Sequence, residues 1–187
     1  IGLPPLWDTD TGKSGIGIFG LMDQGSNNGR GLIPSPPDAW TRKYVGWEHS
    51  IKITPSASIN LPSRSENNIV EIPINSDEYF LIENRNNWVS YKTDIDSLRR
   101  KHKIDENQMG HWFDTVIEEF PEDQIQIDED TQVITGFDHY DYGLPGSGIL
   151  IWHISNPHID LFPNQVINDK SYHHVKIEEA DGAQDII

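Results

Sequence analysis

No cysteine occurs among the 187 residues, which excludes a disulfide framework and thiolate chemistry. Basic residues are scarce: 14 Lys and Arg stand against 30 Asp and Glu, a formal charge of −16. Such a chain is repelled by nucleic-acid phosphates and by anionic membranes, so neither is expected as a partner. No apolar run approaches the roughly 20 residues needed to span a bilayer. None of the eight histidines is followed by Glu, so HExxH is absent. A G-x-S-x-G elbow, a Walker loop and a dinucleotide fingerprint are also missing. The chain starts on Ile1 and ends on Asp185-Ile186-Ile187, and reads as a piece of something longer.

What is present suggests one sizeable core, because six Trp, six Tyr and six Phe can each bury a large area. Residues 1–34 are rich in Gly, Asp, Asn and Pro and read as loop. Ser35-Pro36-Pro37-Asp38 then predicts a helix capped by Ser35, with Pro36 first and Asp38 third. Trp40 and Tyr44 would share one face of it, and Gly46 would close it. From Trp47 to Thr54 apolar and polar residues alternate, predicting a half-buried strand. Further strands are expected at Ile69–Ile74, Tyr79–Glu83, Gln132–Thr135, Gly148–Ile154 and Val175–Glu179. Ile149 to Trp152 is the most apolar run, expected at the centre of a sheet and covered on both faces.

Met109, Trp112, Phe113, Val116, Ile117 and Phe120 fall on one helical stripe ended by Pro121. Asp94 to Lys103 predicts a shorter helix before it, and the acidic run Glu118 to Asp130 a solvated loop. The fold class expected is α+β, a largely antiparallel sheet with a helical insert near 94–120. Its domains would be residues 1–47 and 48–187.

Three oxygen-rich clusters suit a hard cation such as calcium: Asp8 with Asp10, Asp23 with Asn27 and Asn28, and Glu178, Glu179, Asp181 with Asp185. The alternative for each is a set of Asx-turns and solvated acids. His153 with His158, and His173 with His174, lack the spacing of a shared metal-binding face.

The blocks Gly2-Leu3-Pro4, Leu6-Trp7-Asp8-Thr9-Asp10, Gly15-Ile16-Gly17 and Gly20-Leu21-Met22-Asp23 resemble the stretch following the zinc helix in the immune inhibitor A family of secreted bacterial metallopeptidases. The likeness continues at Ala39-Trp40, Gly46-Trp47 and Leu81 to Arg85. It returns at Gly136-Phe137-Asp138, Gly143 to Ile154 and Glu178 to Gly182. Residues 54–78 and 86–130 carry no match.

This resemblance implies the carboxy-terminal part of a metzincin-like peptidase domain, extracellular, acting on proteins or peptides. In that family the zinc helix reads HExxHxxGLP, and its glycine corresponds to Gly2. Both zinc-binding histidines and the catalytic Glu are therefore expected upstream of Ile1, in an amino-terminal half that this chain would pack against. The fragment alone would be inactive. Met22 would be the methionine of the turn that floors the zinc site, its thioether packing without ligating; an ordinary buried Met is the alternative. The third zinc ligand would fall at Pro5, which has no ligating atom. Either Asp8 or Asp10 takes that role, or zinc binds poorly. Glu83 and Arg85 would pair across strands, and the acids from Glu178 to Asp185 would be structural, with calcium as a second cofactor. Two other readings stay open. One is a non-catalytic, calcium-stabilised β-rich surface or binding module; the other is a degenerate peptidase relative.

Overall fold

The computed structural model describes residues 2–31, 33–54, 56–63, 68–103, 120, 124–131, 133–138, 140–155, 168 and 173–179. It is an α+β fold built on a mixed five-stranded sheet with few helices. The strands are β1 (Ser50–Lys52), β2 (Ile69–Pro73), β3 (Glu78–Arg85), β4 (Ile125–Ile127), β5 (Ile134–Phe137), β6 (Gly148–Ser155) and β7 (Val175–Ile177). The order in the main sheet is β1-β2-β3-β6-β7. β1 runs parallel to β2, and every other pair is antiparallel. β4 and β5 form a separate antiparallel pair, with a register shift between Gln126 and Ile127.

β3 shows the period of two in its burial, which alternates along all eight residues. Tyr79, Leu81, Glu83 and Arg85 face inward, so one face grades from apolar to ionic. Leu81 lies opposite Trp152, and Tyr79 opposite Ile154. These four join Leu6, Ile16, Ala39, Trp40, Ile69, Val175 and Ile177 in the principal core. Residues from both sides of position 47 thus share one core. A second cluster gathers Ile33, Val89, Ile95, Leu98, Phe120 and Tyr142.

The first helix, α1 (Ala39–Tyr44), packs on β3 and β6. Its cap is Asp38 and not Ser35: the Asp38 carboxylate accepts from Thr41 N–H at 2.9 Å. The reason lies in Pro36-Pro37, since a residue preceding proline is driven out of the helical region and the helix starts only after both rings. Ser35 instead donates to the Ile18 carbonyl at 2.6 Å. Trp40 and Tyr44 stack with centroids 5.1 Å apart. Gly46 follows the helix at φ +76°, where glycine is favoured. The second helix, α2 (Ile95–His102), is capped by Asp94 and ends on left-handed Lys103.

Further expectations are corrected. The strand expected from Trp47 to Thr54 shrinks to β1, an edge strand paired with β2 in which Ile51 is exposed, and Trp47, also exposed, lies before it. Ile149 is 53% exposed, so β6 is fully covered only towards its end, where β7 pairs with it. Within the acidic run, residues 125–127 form β4, since Ile125 and Ile127 alternate with Gln126. The expected strand from Gln132 is β5 and begins at Ile134. The apolar stripe from Met109 to Ile117 lies outside the described residues, as do His158, Asp181 and Asp185. Among the described residues no helix is long and apolar enough to cross a membrane.

Candidate functional site

The segment from Gly2 to Asp23 has little regular structure, yet it is pinned at many points. Leu6 is fully buried and donates its N–H to the Met22 carbonyl at 2.9 Å. The stretch that follows Gly2 therefore lies directly against the turn that holds Met22. The Met22 side chain is half-buried and packs on the principal core, as do Phe19 and Leu150. Gly15 packs against the same segment: a Cβ there would sit 2.1 Å from the Leu6 carbonyl oxygen.

Asn168 locks the same segment to the sheet edge. It has no exposed surface, and its Nδ2 donates to the Leu6 carbonyl at 2.7 Å and to the Val175 carbonyl at 2.9 Å. Its Oδ1 accepts from Val175 N–H at 3.1 Å. One side chain thus ties the start of the chain to β7.

Asp8 is buried but turned on its own loop. Its Oδ1 accepts from the N–H groups of Asp10 and Thr11 at 2.8 and 3.1 Å, and its Oδ2 from the Thr11 hydroxyl. That hydroxyl bond holds the carboxyl below its usual range, burial opposes it, and the two amides add to the lowering. Asp10 is exposed and lends Asp8 its amide. Pro5 is half-buried.

The other candidate oxygens are spread out. Asp23 is buried, with both carboxylate oxygens engaged by the loop before it and by Gln24. Asn28 donates to the Ile18 carbonyl at 3.0 Å and to Ser35 at 2.7 Å, while Asn27 is exposed. Glu178 meets His153 Nδ1 at 2.8 Å and Lys176 at 3.3 Å. Glu179 is buried at the end of β7. Among the described residues no group of three or more His, Asp or Glu is placed to hold a metal ion.

A buried ionic network joins β3, α1 and the Tyr140–Gly143 turn, and the sequence shows only part of it. Glu83 and Arg85 do pair, at 3.1 Å, but as i and i+2 neighbours on the inward face of β3 and not across strands. Glu83 Oε2 also meets Arg42 of α1 at 2.6 Å, and its Oε1 accepts from Trp152 Nε1 at 2.9 Å. Arg42 reaches Glu48 at 2.6 Å, and Arg85 Nε donates to Asp141 at 2.8 Å. Burial pushes the Glu83 carboxyl up, but the charges of Arg85 and Arg42 outweigh it, leaving Glu83 below the usual carboxylate range. Asp38 goes the other way, raised chiefly by burial despite its Thr41 bonds. Asp141 and Asn168 escaped the sequence reading; the flanking tyrosines of Asp141 are the only local sign of a buried position.

Two cavities adjoin this region. One of about 370 Å³ is lined by Phe19, Arg85 and residues 144–150. Another of about 190 Å³ lies between Ile18, Ile33, α2 and the Tyr142–Pro145 turn. Compared with known proteins, the chain matches no family model, no curated protein and no solved structure.

Proposed function

We propose that this chain is the carboxy-terminal portion of a secreted zinc-dependent endopeptidase, the part that supports a metal-binding helix supplied by residues upstream of Ile1. The observation that carries the reading is the Leu6 N–H to Met22 carbonyl bond of 2.9 Å. A zinc site floored by a methionine requires the chain leaving the zinc helix to run against the methionine turn. The stretch from Gly2 to Asp8 does so here, and it is anchored from beneath by Leu6 and Ile16 in the core. The half-buried Met22 packs on that core, in keeping with a thioether that shapes a site without competing as a ligand.

The role of this chain's own residues is mechanical. Asp8 uses its oxygens to close the loop 8–13, where Asp8 N–H also donates to the Lys13 carbonyl at 2.8 Å. No catalytic step is assigned to a side chain in residues 2–31; the water-activating Glu and the histidines belong to the upstream helix in this reading.

The test uses the longer protein. Its upstream residues should contain HExxH ending shortly before Gly2, and the purified protein should carry zinc and hydrolyse casein. Asp10→Ala and Asp8→Ala then separate the ligand question from loop closure: loss of zinc at unchanged stability marks a ligand, and loss of stability first marks a turn. An upstream sequence without the motif overturns the peptidase reading and leaves a binding module.

A further inference from the structure

We propose that Asp23 is a positioning residue: its carboxylate is the built-in anion of a backbone nest formed by residues 14–17, and it thereby fixes the turn carrying Met22. The catalytic consequence rests on the peptidase reading above; the nest itself does not.

Three successive N–H groups, those of Gly15, Ile16 and Gly17, converge on the single oxygen Asp23 Oδ2 at 2.8, 2.8 and 3.0 Å. The Ser14 hydroxyl donates to the same oxygen at 2.9 Å. Asp23 Oδ1 accepts from Gln24 N–H at 2.8 Å. Successive amides pointing into one concavity are how loops bind anions such as phosphate. The backbone has the required alternation, with Ile16 at φ −125° and Gly17 at φ +66°. Here the cavity is filled by the chain's own carboxylate, and the oxygen that a cation would need is already saturated.

The nest connects to Met22 in two ways. Asp23 is the next residue along the chain, so fixing its side chain fixes the peptide that carries the methionine carbonyl. Ile16, inside the nest, is fully buried beside Leu6, whose N–H holds that same carbonyl. Gly20 tightens the arrangement, since a Cβ there would lie 2.4 Å from Ile16 Cδ1. Without the carboxylate, the N–H groups of Gly15 and Ile16 and the Ser14 hydroxyl lose this acceptor together, while Gly17 N–H keeps the Ser14 oxygen at 2.8 Å.

The experiment follows the backbone amides of Gly15, Ile16 and Gly17 by NMR in the 187-residue chain, with thermal melting alongside. Asp23→Ala should move these amides upfield and lower the melting temperature by roughly 10 °C. Sodium formate should restore both saturably, whereas sodium chloride at equal ionic strength should not. Unmoved amides with a shift below about 2 °C, or formate acting no better than chloride, overturns the nest. If Asp23→Ala does not fold, Asp23→Asn decides: wild-type stability overturns the need for an anion, and lowered stability with upfield amides supports it. In the longer protein, Asp23→Ala should lower kcat by about tenfold or more with KM unchanged, and formate should recover part of the loss. An inert wild-type longer protein would defeat the peptidase reading while leaving the amide test intact.

Discussion

Arg85 Nε donates to Asp141 Oδ1 at 2.8 Å although the two residues are 56 positions apart, and both side chains are almost wholly buried. Asp141 Oδ2 also accepts from Asn86 N–H at 3.0 Å. The pair thus fastens the end of β3 to the turn at Tyr140–Gly143. A buried ion pair adds little over a well-packed apolar pair, but breaking it leaves the buried Arg85 guanidinium with Glu83 beside it and its Nε donor unanswered. Asp141→Ala should therefore cost about 3–5 kcal/mol by denaturant unfolding. The double variant Arg85→Met with Asp141→Leu should cost less than Asp141→Ala alone. A single-variant cost under about 1 kcal/mol would mean that water reaches Arg85.

The same network sets an acid limit on the fold. Glu83 titrates below the usual range because Arg85 and Arg42 hold it ionised against the opposing effect of burial. A carboxylate depressed by folding stabilises above its unfolded value near ~4 and loses that contribution as the pH falls through the folded value. Stability of the chain should decline on acidification from about pH 4.5 downward. Glu83→Gln should be weaker at pH 7 and show a shallower acid loss. Equal slopes in the two proteins would move the acid sensitivity elsewhere.

Asn168 is the next point of failure. Its amide answers the carbonyls of Leu6 and Val175 and the Val175 N–H. Asn168→Ala should cost about 3 kcal/mol, since several buried backbone groups are left unsatisfied at once. Hydrogen exchange at Leu6 and Val175 should accelerate together, because one side chain serves both. Acceleration at Val175 alone would show that the amino-terminal segment has a separate anchor.

The strands were legible where burial follows the pleat. Tyr79 and Leu81 in β3, and Trp152 and Ile154 in β6, are buried apolar residues at alternate positions, which leaves a signal that survives without neighbours. β4 was hidden because Ile125 and Ile127 sit among acids, and an excess of charge reads as loop even when the alternation is there. The start of α1 was misplaced by three residues because Ser35 and Asp38 can both cap, and the two prolines between them decide which one does. The ionic network was illegible for another reason. Arg42 and Glu83 are 41 positions apart, and pairings of that range are created by the sheet and leave no trace in local spacing. For residues 8–23 the acids were visible and their direction was not: Asp8 and Asp23 are engaged by the amides and hydroxyls of their own loops.

Asp38 offers the last test, because its two roles oppose each other. As a cap it accepts from Thr41 N–H at 2.9 Å and from the Thr41 hydroxyl at 2.6 Å. As a fully buried carboxylate near Glu83 it is raised by burial first and by Glu83 as a lesser cause. A group raised by folding weighs against the fold at neutral pH, and the burden is relieved as acid protonates it. Asparagine keeps an oxygen for the Thr41 amide and removes the charge. Asp38→Asn should therefore melt at or above the wild-type temperature at pH 7, with the difference shrinking on acidification. Asp38→Ala removes the cap altogether and should lose about 1–2 kcal/mol. If Asp38→Asn is destabilised as much as Asp38→Ala at pH 7, the negative charge itself serves the start of α1, and its attraction to the helix end outweighs the cost of burying it.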